Sequence, residues 1–397
     1  MSNRNYSLAT STWDDAEYQA IQRVIESDMF TMGAHVQEFE KQFAAYTGSR
    51  YCVMVNSGSS ANLLMIAALR FRKDNALLAG DEIIVPAVSW STTYHPLQQY
   101  GLKLKFVDVD RDTLNYDLGA LADAVTEKTR AIMVVNLLGN SNDFAAIGNI
   151  VGERNIIVVE DNCESLGATY GGRQTGTFGL LGSYSAFFSH HISTMEGGMV
   201  VTDDEELYHI MLSVRAHGWT RNLPKHNLLT GTKSDDAFVE SFKFVLPGYN
   251  LRPLEMSGAI GIEQVRKLPD IVSERRRNAQ LFKELMREYP QFRTQEEIGE
   301  SSWFGFSLIV EAGMPFKRAD VVRVFNSHKI DVRPIVAGNF AKNEVLRWFD
   351  YEIHGGLKNA DDLDENGLFI GNHHYELTEQ FETLRAALNE LTKSANT

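Results

Sequence analysis

The chain predicts an α/β fold, with a mainly parallel central sheet, helices on both of its faces and a smaller carboxyl-terminal α+β domain. Apolar runs of strand length alternate with helical runs from Tyr51 to Val159, the pattern of consecutive βαβ units. A chain of 397 residues, 44% of them hydrophobic, can bury a large core and exceeds the usual size of one domain. Composition shifts towards charge near 270–290, so the expected division is residues 1–270, a large domain with amino-terminal helices, and 271–397, a linking helix and the small domain.

Taken in order, Trp13 to Ile25 has a helical pattern that MFTMG at 29–33 interrupts. A second amphipathic helix follows, with Val36, Phe39, Phe43 and Tyr46 on one face. Tyr51–Val55 is a buried-strand run leading into Asn56-Ser57-Gly58-Ser59-Ser60-Ala61 and the helical LLMIAALR. A strand, a small polar turn and a helix start form a place where backbone N–H groups and the helix dipole can hold a phosphate. The spacing is neither a Walker loop nor GxGxxG, and an ordinary capped helix start reads equally well. The alternation continues through Glu82–Val85 and a helix past Thr93, Leu102–Val109 and Leu118–Val125, Ala131–Asn136 and Phe144–Glu153, and Ile156–Val159 ending at Glu160-Asp161. Ligands in such sheets sit beyond the carboxyl ends of the strands. That rule gathers Ser57 to Ser60, Trp90, Asn136, Asp161 and Glu164 around one crevice.

Ser185–Gly198, SAFFSHHISTMEGG, then reads as a loop between strands that offers imidazole to a site. The acidic run Asp203–Glu206 fits a negatively charged first helical turn ahead of a helix to Ala216, and Asp361–Glu365 reads as solvated surface. Thr220–Lys243 is polar and predicts a long loop, of the kind that is functional or crosses to a partner. Helices are expected from Pro253 and over Ile271–Glu288, then a strand at Phe304–Val310, a helix at Arg318–Asn326, a strand at Asp331–Pro334 and a closing helix at Thr378–Thr392.

A net charge of −14 argues against a broad nucleic-acid or anionic-membrane surface, though local donors can still bind a small anion. Two cysteines, Cys52 and Cys163, are too few for a disulfide framework or an iron–sulfur site. So low a cysteine count makes a reduced cytoplasmic setting the expectation; the amino end carries no signal-type apolar core and no run is long and uninterrupted enough to span a bilayer. His373-His374 has no third ligand at metal-site spacing and reads as surface, and no metal site is expected.

A phosphate-type turn, an aromatic after a strand (Trp90) and an acid ending a buried strand (Asp161) together describe a pocket for a phosphorylated pyridine. Here the chain resembles the sugar aminotransferases of the DegT/DnrJ/EryC1/StrS family, in the aspartate-aminotransferase (fold type I) class of pyridoxal-phosphate enzymes. MGAHVQEFEKQFAAYTG, VNSGSSANLL, EIIVPAVSWSTT, EDNCESLGA, the SH-to-EGG stretch and GYNLRPLEMSGAIG follow the family's landmarks in order. One landmark departs. The family's lysine stands six residues before the Glu-Gly-Gly, where this chain has His190, and no lysine occurs between Lys128 and Lys225.

FFSHHISTMEGG and RAHGWTRNLPK are similar to a branch of the family that removes a hydroxyl from a nucleotide-linked keto sugar. Iron–sulfur sugar dehydratases also replace the lysine by histidine, but need cysteines absent here. The resemblance implies pyridoxal or pyridoxamine 5'-phosphate held without a covalent tether, a GDP-sugar substrate and glutamate as amino donor. It implies His190 as base, suited by an unperturbed pKa of about 6.5, with His191 on the opposite face of the extended segment. It further implies Asp161 at the ring nitrogen, Trp90 stacking, Glu164 near the ring hydroxyl, and Gly58, Ser59 and Ser185 at the phosphate. Asn250 would reach the partner's cofactor in a homodimer. His217 and Arg333 are weaker substrate candidates, since a dipole-favoured helix end and a surface position explain them equally well. A 4-aminotransferase of the same family, and a non-catalytic nucleotide-sugar-binding homologue, stay open as alternatives.

Overall fold

A computed structural model describes residues 5–394; the first four residues of the amino-terminal stretch lie outside the described part. The central sheet has eight strands. They are β1 (Tyr51–Val55), β2 (Glu82–Pro86), β3 (Lys103–Val107), β4 (Thr129–Val135), β5 (Ile157–Asp161), β6 (Leu181–Ser185), β7 (Gly198–Thr202) and β8 (Tyr351–Ile353). Their order across the sheet is β1-β7-β6-β5-β4-β2-β3-β8. All neighbours are parallel except that β7 runs antiparallel to both β1 and β6.

Alternate residues along each strand supply the two faces, as the two-residue period of a strand requires. Val53, Val55, Ile83, Val85, Met133 and Val200 join the core under helices Gly58–Phe71, Ser91–Gln99 and Glu205–Arg215. On the other face, Cys52, Met54, Met199 and Val201 pack with Phe39 and Phe43 of helix Ala34–Thr47, and Ile84, Ile132 and Val134 pack with Phe144 and Ile147. The expected stripe thus holds at Val36, Phe39 and Phe43, while Tyr46 is only partly buried.

Several expectations need correction. The two helices predicted from Pro253 and over Ile271–Glu288 are one helix of 32 residues, Glu255–Met286, with Pro269 inside it. Proline interrupts a helix by losing one hydrogen bond and crowding the preceding turn. Here Leu268, Ile271 and Val272 are buried against the sheet-side core on either side of it, and that packing carries the helix through. Thr220–Lys243 is not structureless: it forms a small hairpin, His226–Asn227 with Gly231–Thr232, and helix Ala237–Ser241. Asp331–Pro334 contributes a single bridge, Arg333 to Phe369, rather than a strand. Asp361–Glu365 lies on helix Lys358–Asn366 and is tied down, Asp361 to Lys342 at 2.7 Å and Asp362 to Arg293 at 2.7 Å. By contrast Asp204 caps helix Glu205–Arg215 with Glu205 and Glu206 in its first turn, as its acidic start implies. The carboxyl-terminal part forms a three-stranded antiparallel sheet around Gly305–Val310, covered by helices Arg318–Ser327 and Thr378–Ser394.

Candidate active site

Because β7 is antiparallel to its neighbours, its first residue lies at the same edge as the last residues of β1 and β6. Gly198 pairs with both Val55 and Ser185, and Asp161 ends β5 two strands from β7. The loop from Ala186 to Gly197 therefore rises over the carboxyl edge, beside the turn at Ser57. That turn is a capped helix start: Ser57 Oγ accepts from the Ser60 N–H at 3.0 Å, leaving the first amides of the helix to face the crevice. Gly58 and Ser185 are in close approach, since a Cβ on Gly58 would come within 2.7 Å of the Ser185 Cβ. Ser59 is exposed and its hydroxyl donates to Thr92 Oγ1 at 2.9 Å.

Asp161 is 5% exposed and forms no ion pair among the described residues. Its Oδ2 accepts from Asn62 Nδ2 at 2.8 Å and from the Thr93 hydroxyl at 2.7 Å, and its Oδ1 from the Cys163 N–H at 3.2 Å. Asn62 is itself oriented by the Ser183 hydroxyl, which donates to its Oδ1 at 2.6 Å. Neutral donors thus hold a buried carboxylate with its charge uncompensated, an arrangement that suits a cationic N–H partner. Sequence reasoning missed Asn62 and Thr93. Asn62 lies one turn after Gly58 in an otherwise apolar helix, a signal available from periodicity; Thr93 carries none.

Glu164 sits beside Asp161, and its Oε2 accepts from the Leu138 N–H at 3.0 Å. Burial, reinforced by the Asp161 charge, pushes its carboxyl up to about 7. Trp90 immediately precedes helix Ser91–Gln99 and is 58% exposed at the rim of the edge. Asn136 is fully buried and bonds Glu160 and Asn162, so it belongs to the scaffold beneath the crevice rather than to its wall.

The histidine loop is held from within and without. The Ala186 N–H donates to the Gly197 carbonyl at 2.9 Å and the Phe188 N–H to the Met195 carbonyl at 3.1 Å. Gln264 of the long helix accepts from the Ser193 N–H at 2.9 Å, and Trp13 donates its indole N–H to the Ser193 carbonyl at 2.8 Å. His190 is half-buried; His191 is fully buried and donates from Nε2 to the Ser302 carbonyl at 3.1 Å. The pair lies in a turn, where the His190 N–H donates to the Phe187 carbonyl at 2.9 Å, rather than in an extended segment, and both rings lie against Phe304, at 5.1 and 5.9 Å. Burial, with the nearby Arg275 charge second, pushes the His190 imidazole down to about 4, against the near-neutral value expected of a free histidine.

His217 follows the helix with a left-handed backbone, φ 60°, and its N–H donates to the Tyr249 carbonyl at 2.6 Å. Asn250 is exposed and bridges Ala216, while the next residue, Leu251, accepts from the Asn56 N–H at 3.0 Å, which ties both candidates to the Ser57 turn. Arg333 is exposed; Phe369, to which its backbone bonds, lies 6.4 Å from the Phe304 ring that adjoins His190. His373 corrects the surface expectation: it is 1% exposed, bonded to Thr10 Oγ1 and the Ser7 carbonyl, and stacked on Tyr375. No group of His, Cys, Asp or Glu among the described residues is placed to hold a metal.

A phosphate-type helix start, a buried carboxylate held by neutral donors and an aromatic at the rim, on one edge of a mainly parallel sheet, fit a pyridoxal-phosphate enzyme of the aminotransferase fold. The chain belongs to the DegT/DnrJ/EryC1/StrS aminotransferase family, whose model matches residues 11–389. It is 61% identical over 385 residues to the GDP-4-keto-6-deoxy-D-mannose 3-dehydratase of Escherichia coli O55:H7, covering 97% of this chain and 99% of that one. Two solved structures of a GDP-4-keto-6-deoxymannose-3-dehydratase match with a TM-score of 0.96 at 61% identity, over 97% of this chain and 100% of theirs. One is a histidine-to-asparagine variant with bound GDP-perosamine, the other holds a trapped PLP–glutamate geminal diamine.

Proposed function

We propose that the protein is a pyridoxal-phosphate-dependent 3-dehydratase. It removes the C3 hydroxyl of GDP-4-keto-6-deoxy-D-mannose to give GDP-4-keto-3,6-dideoxymannose, with glutamate restoring the amine form of the cofactor, in the biosynthesis of colitose for lipopolysaccharide O-antigen. The observation that carries this reading is His190, which stands where the family has its cofactor lysine, on a loop over the Asp161 edge, in a chain 61% identical to such an enzyme. When bound, the cofactor supplies an amine that joins the sugar's keto carbon and a ring that draws electrons from it.

In this reading the Asp161 carboxylate pairs with the ring nitrogen and keeps it protonated, and Asn62 and Thr93 orient that carboxylate. Trp90 stacks on the ring and Glu164 approaches its hydroxyl. Gly58, Ser59 and Ser185 hold the phosphate. His190, with its pKa depressed to about 4, is unprotonated at neutral pH and free to accept a proton as base. His217 and Arg333 serve substrate. Asn250 reaches across a homodimer; the exposed Phe238, Phe242 and Phe244 in the segment after His217 support a subunit contact there. We place the enzyme in the cytoplasm, consistent with two free cysteines and with the absence, among the described residues, of any helix long and apolar enough to cross a membrane.

Incubation of the protein with pyridoxal phosphate, glutamate and GDP-4-keto-6-deoxymannose tests the reading. The expected product has lost its C3 oxygen; an aminosugar that keeps it would make the protein a 4-aminotransferase. Borohydride treatment is expected to leave the cofactor removable by dialysis, and covalent fixation to the chain would contradict the untethered site.

A further inference from the structure

A base must be held in one orientation, yet the His190 Nδ1 is buried without a hydrogen-bond partner among the described residues. Packing confines the ring instead. Phe187 lies 6.0 Å away at 81°, and Phe304 lies 5.1 Å away at 62°. Phe304 also adjoins His191, at 5.9 Å. The place of Phe304 is set by its backbone: its N–H donates to the Leu138 carbonyl at 3.0 Å, and its carbonyl accepts from Arg275 Nη1 at 3.1 Å. The same nitrogen reaches the Trp303 carbonyl at 3.3 Å, and Trp303 has the left-handed φ of 49° that an aromatic residue seldom adopts. One residue earlier, the Ser302 carbonyl receives His191.

Arg275 is 4% exposed, forms no ion pair among the described residues, and its Nε is buried without a partner. A buried guanidinium without a counter-ion is costly. The hydrogen bonds it does make converge on the strained turn that abuts both histidines.

We propose that Arg275 is a positioning residue for His190: its guanidinium holds the Ser302–Phe304 turn, and through the Phe304 ring and the Ser302 carbonyl it sets the orientation of the two histidines. The inference rests on the dehydratase reading with His190 as base. The Arg275 charge acts in the same direction, adding to burial in disfavouring protonation of His190; His191 is depressed first by burial and then by the same charge.

The test compares Arg275→Gln, Arg275→Lys and Phe304→Leu in the holoenzyme, with the His190 titration followed by NMR of ring-labelled histidine before and after cofactor loading, and His190→Asn assigning the resonance. Arg275→Gln is expected to lower kcat by about 10- to 100-fold, as misplacement of a reacting group by up to about 1 Å does, with KM little changed and His190 titrating at higher pH. Arg275→Lys should return the titration towards that of the wild type. Phe304→Leu should lower kcat while Arg275 stays in place. A folded Arg275→Gln with wild-type kcat and wild-type titration overturns the inference; should that variant not fold, wild-type kcat in Phe304→Leu overturns it. Failure of the underlying reading shows separately, as full dehydration by His190→Asn.

Discussion

In the proposed reaction His190 and Asp161 divide the work by charge. One is a neutral ring kept unprotonated by burial, the other an anion kept oriented by neutral donors. The imidazole's type and place were legible in the chain, because a histidine six residues before Glu196 in a lysine-free stretch is a statement about position. Its pKa was not legible, since the groups that lower it, Phe304 and Arg275, lie far away in sequence. Replacing His190 by Asn is expected to cut dehydration by about 10²- to 10⁴-fold, the usual worth of a positioned base. Cofactor binding, measured by absorbance after gel filtration, should persist, because the residues proposed to hold the ring and phosphate are elsewhere. A variant that dehydrates at the wild-type rate would remove His190 from the chemistry.

Among the elements, the pairing of β7 with both β1 and β6 does most to build the site. It brings Gly198 against the Ser57 turn so closely that a Cβ would stand 2.2 Å from the Ser57 carbonyl oxygen and 2.7 Å from the Gly58 nitrogen. Gly198→Ala should therefore push the helix start away from the proposed phosphate position. The expected cost is about 1–3 kcal/mol of stability, as for other overpacked sites, and a weaker grip on cofactor. Thermal melting with and without pyridoxal phosphate checks both, and an unchanged ligand-dependent shift in Tm would show that the turn tolerates the methyl. The long helix gives a second element-scale lesson. Its charged surface is plain in the sequence, but the roles of Gln264 and Arg275 are not, because one buried glutamine and one buried arginine look like their many exposed neighbours until the loop and the Ser302–Phe304 turn fold onto them.

At the scale of the whole molecule, His190, His191, His373 and His374 all lie where burial and the Arg275 charge depress their pKa, the first and third to about 4. An unfolded chain protonates these rings near pH 6.5 while the folded protein does not. Stability is therefore lost as pH falls from about 6.5 towards 4, and changes no further through these groups once both states are protonated. Glu164 and Glu160, raised by burial, work in the opposite direction, since the folded state takes up their protons first. Burial also depresses His95 and His209, so six depressed histidines stand against two raised carboxyls, and the net expectation for the cofactor-free protein is a Tm that falls through this window. Thermal melts across it check the sign, and His373→Gln should flatten the slope; a Tm that rises on acidification would show that the carboxyls dominate.

The sequence by itself determined the α/β class, most strand and helix positions, the phosphate-type turn and the loss of the lysine anchor. These depend on periodicity, on residues adjacent in the chain and on residue type, all of which are local. Tertiary structure alone decided that Pro269 sits within one continuous helix, that Asp361–Glu365 is paired, that His373 is buried, that Asn62 and Thr93 bond Asp161, and that Phe304, held by Arg275, packs against His190. Each of those outcomes is set by which distant segment packs against a residue, and burial of a charge or a ring by remote neighbours leaves no mark on the local pattern.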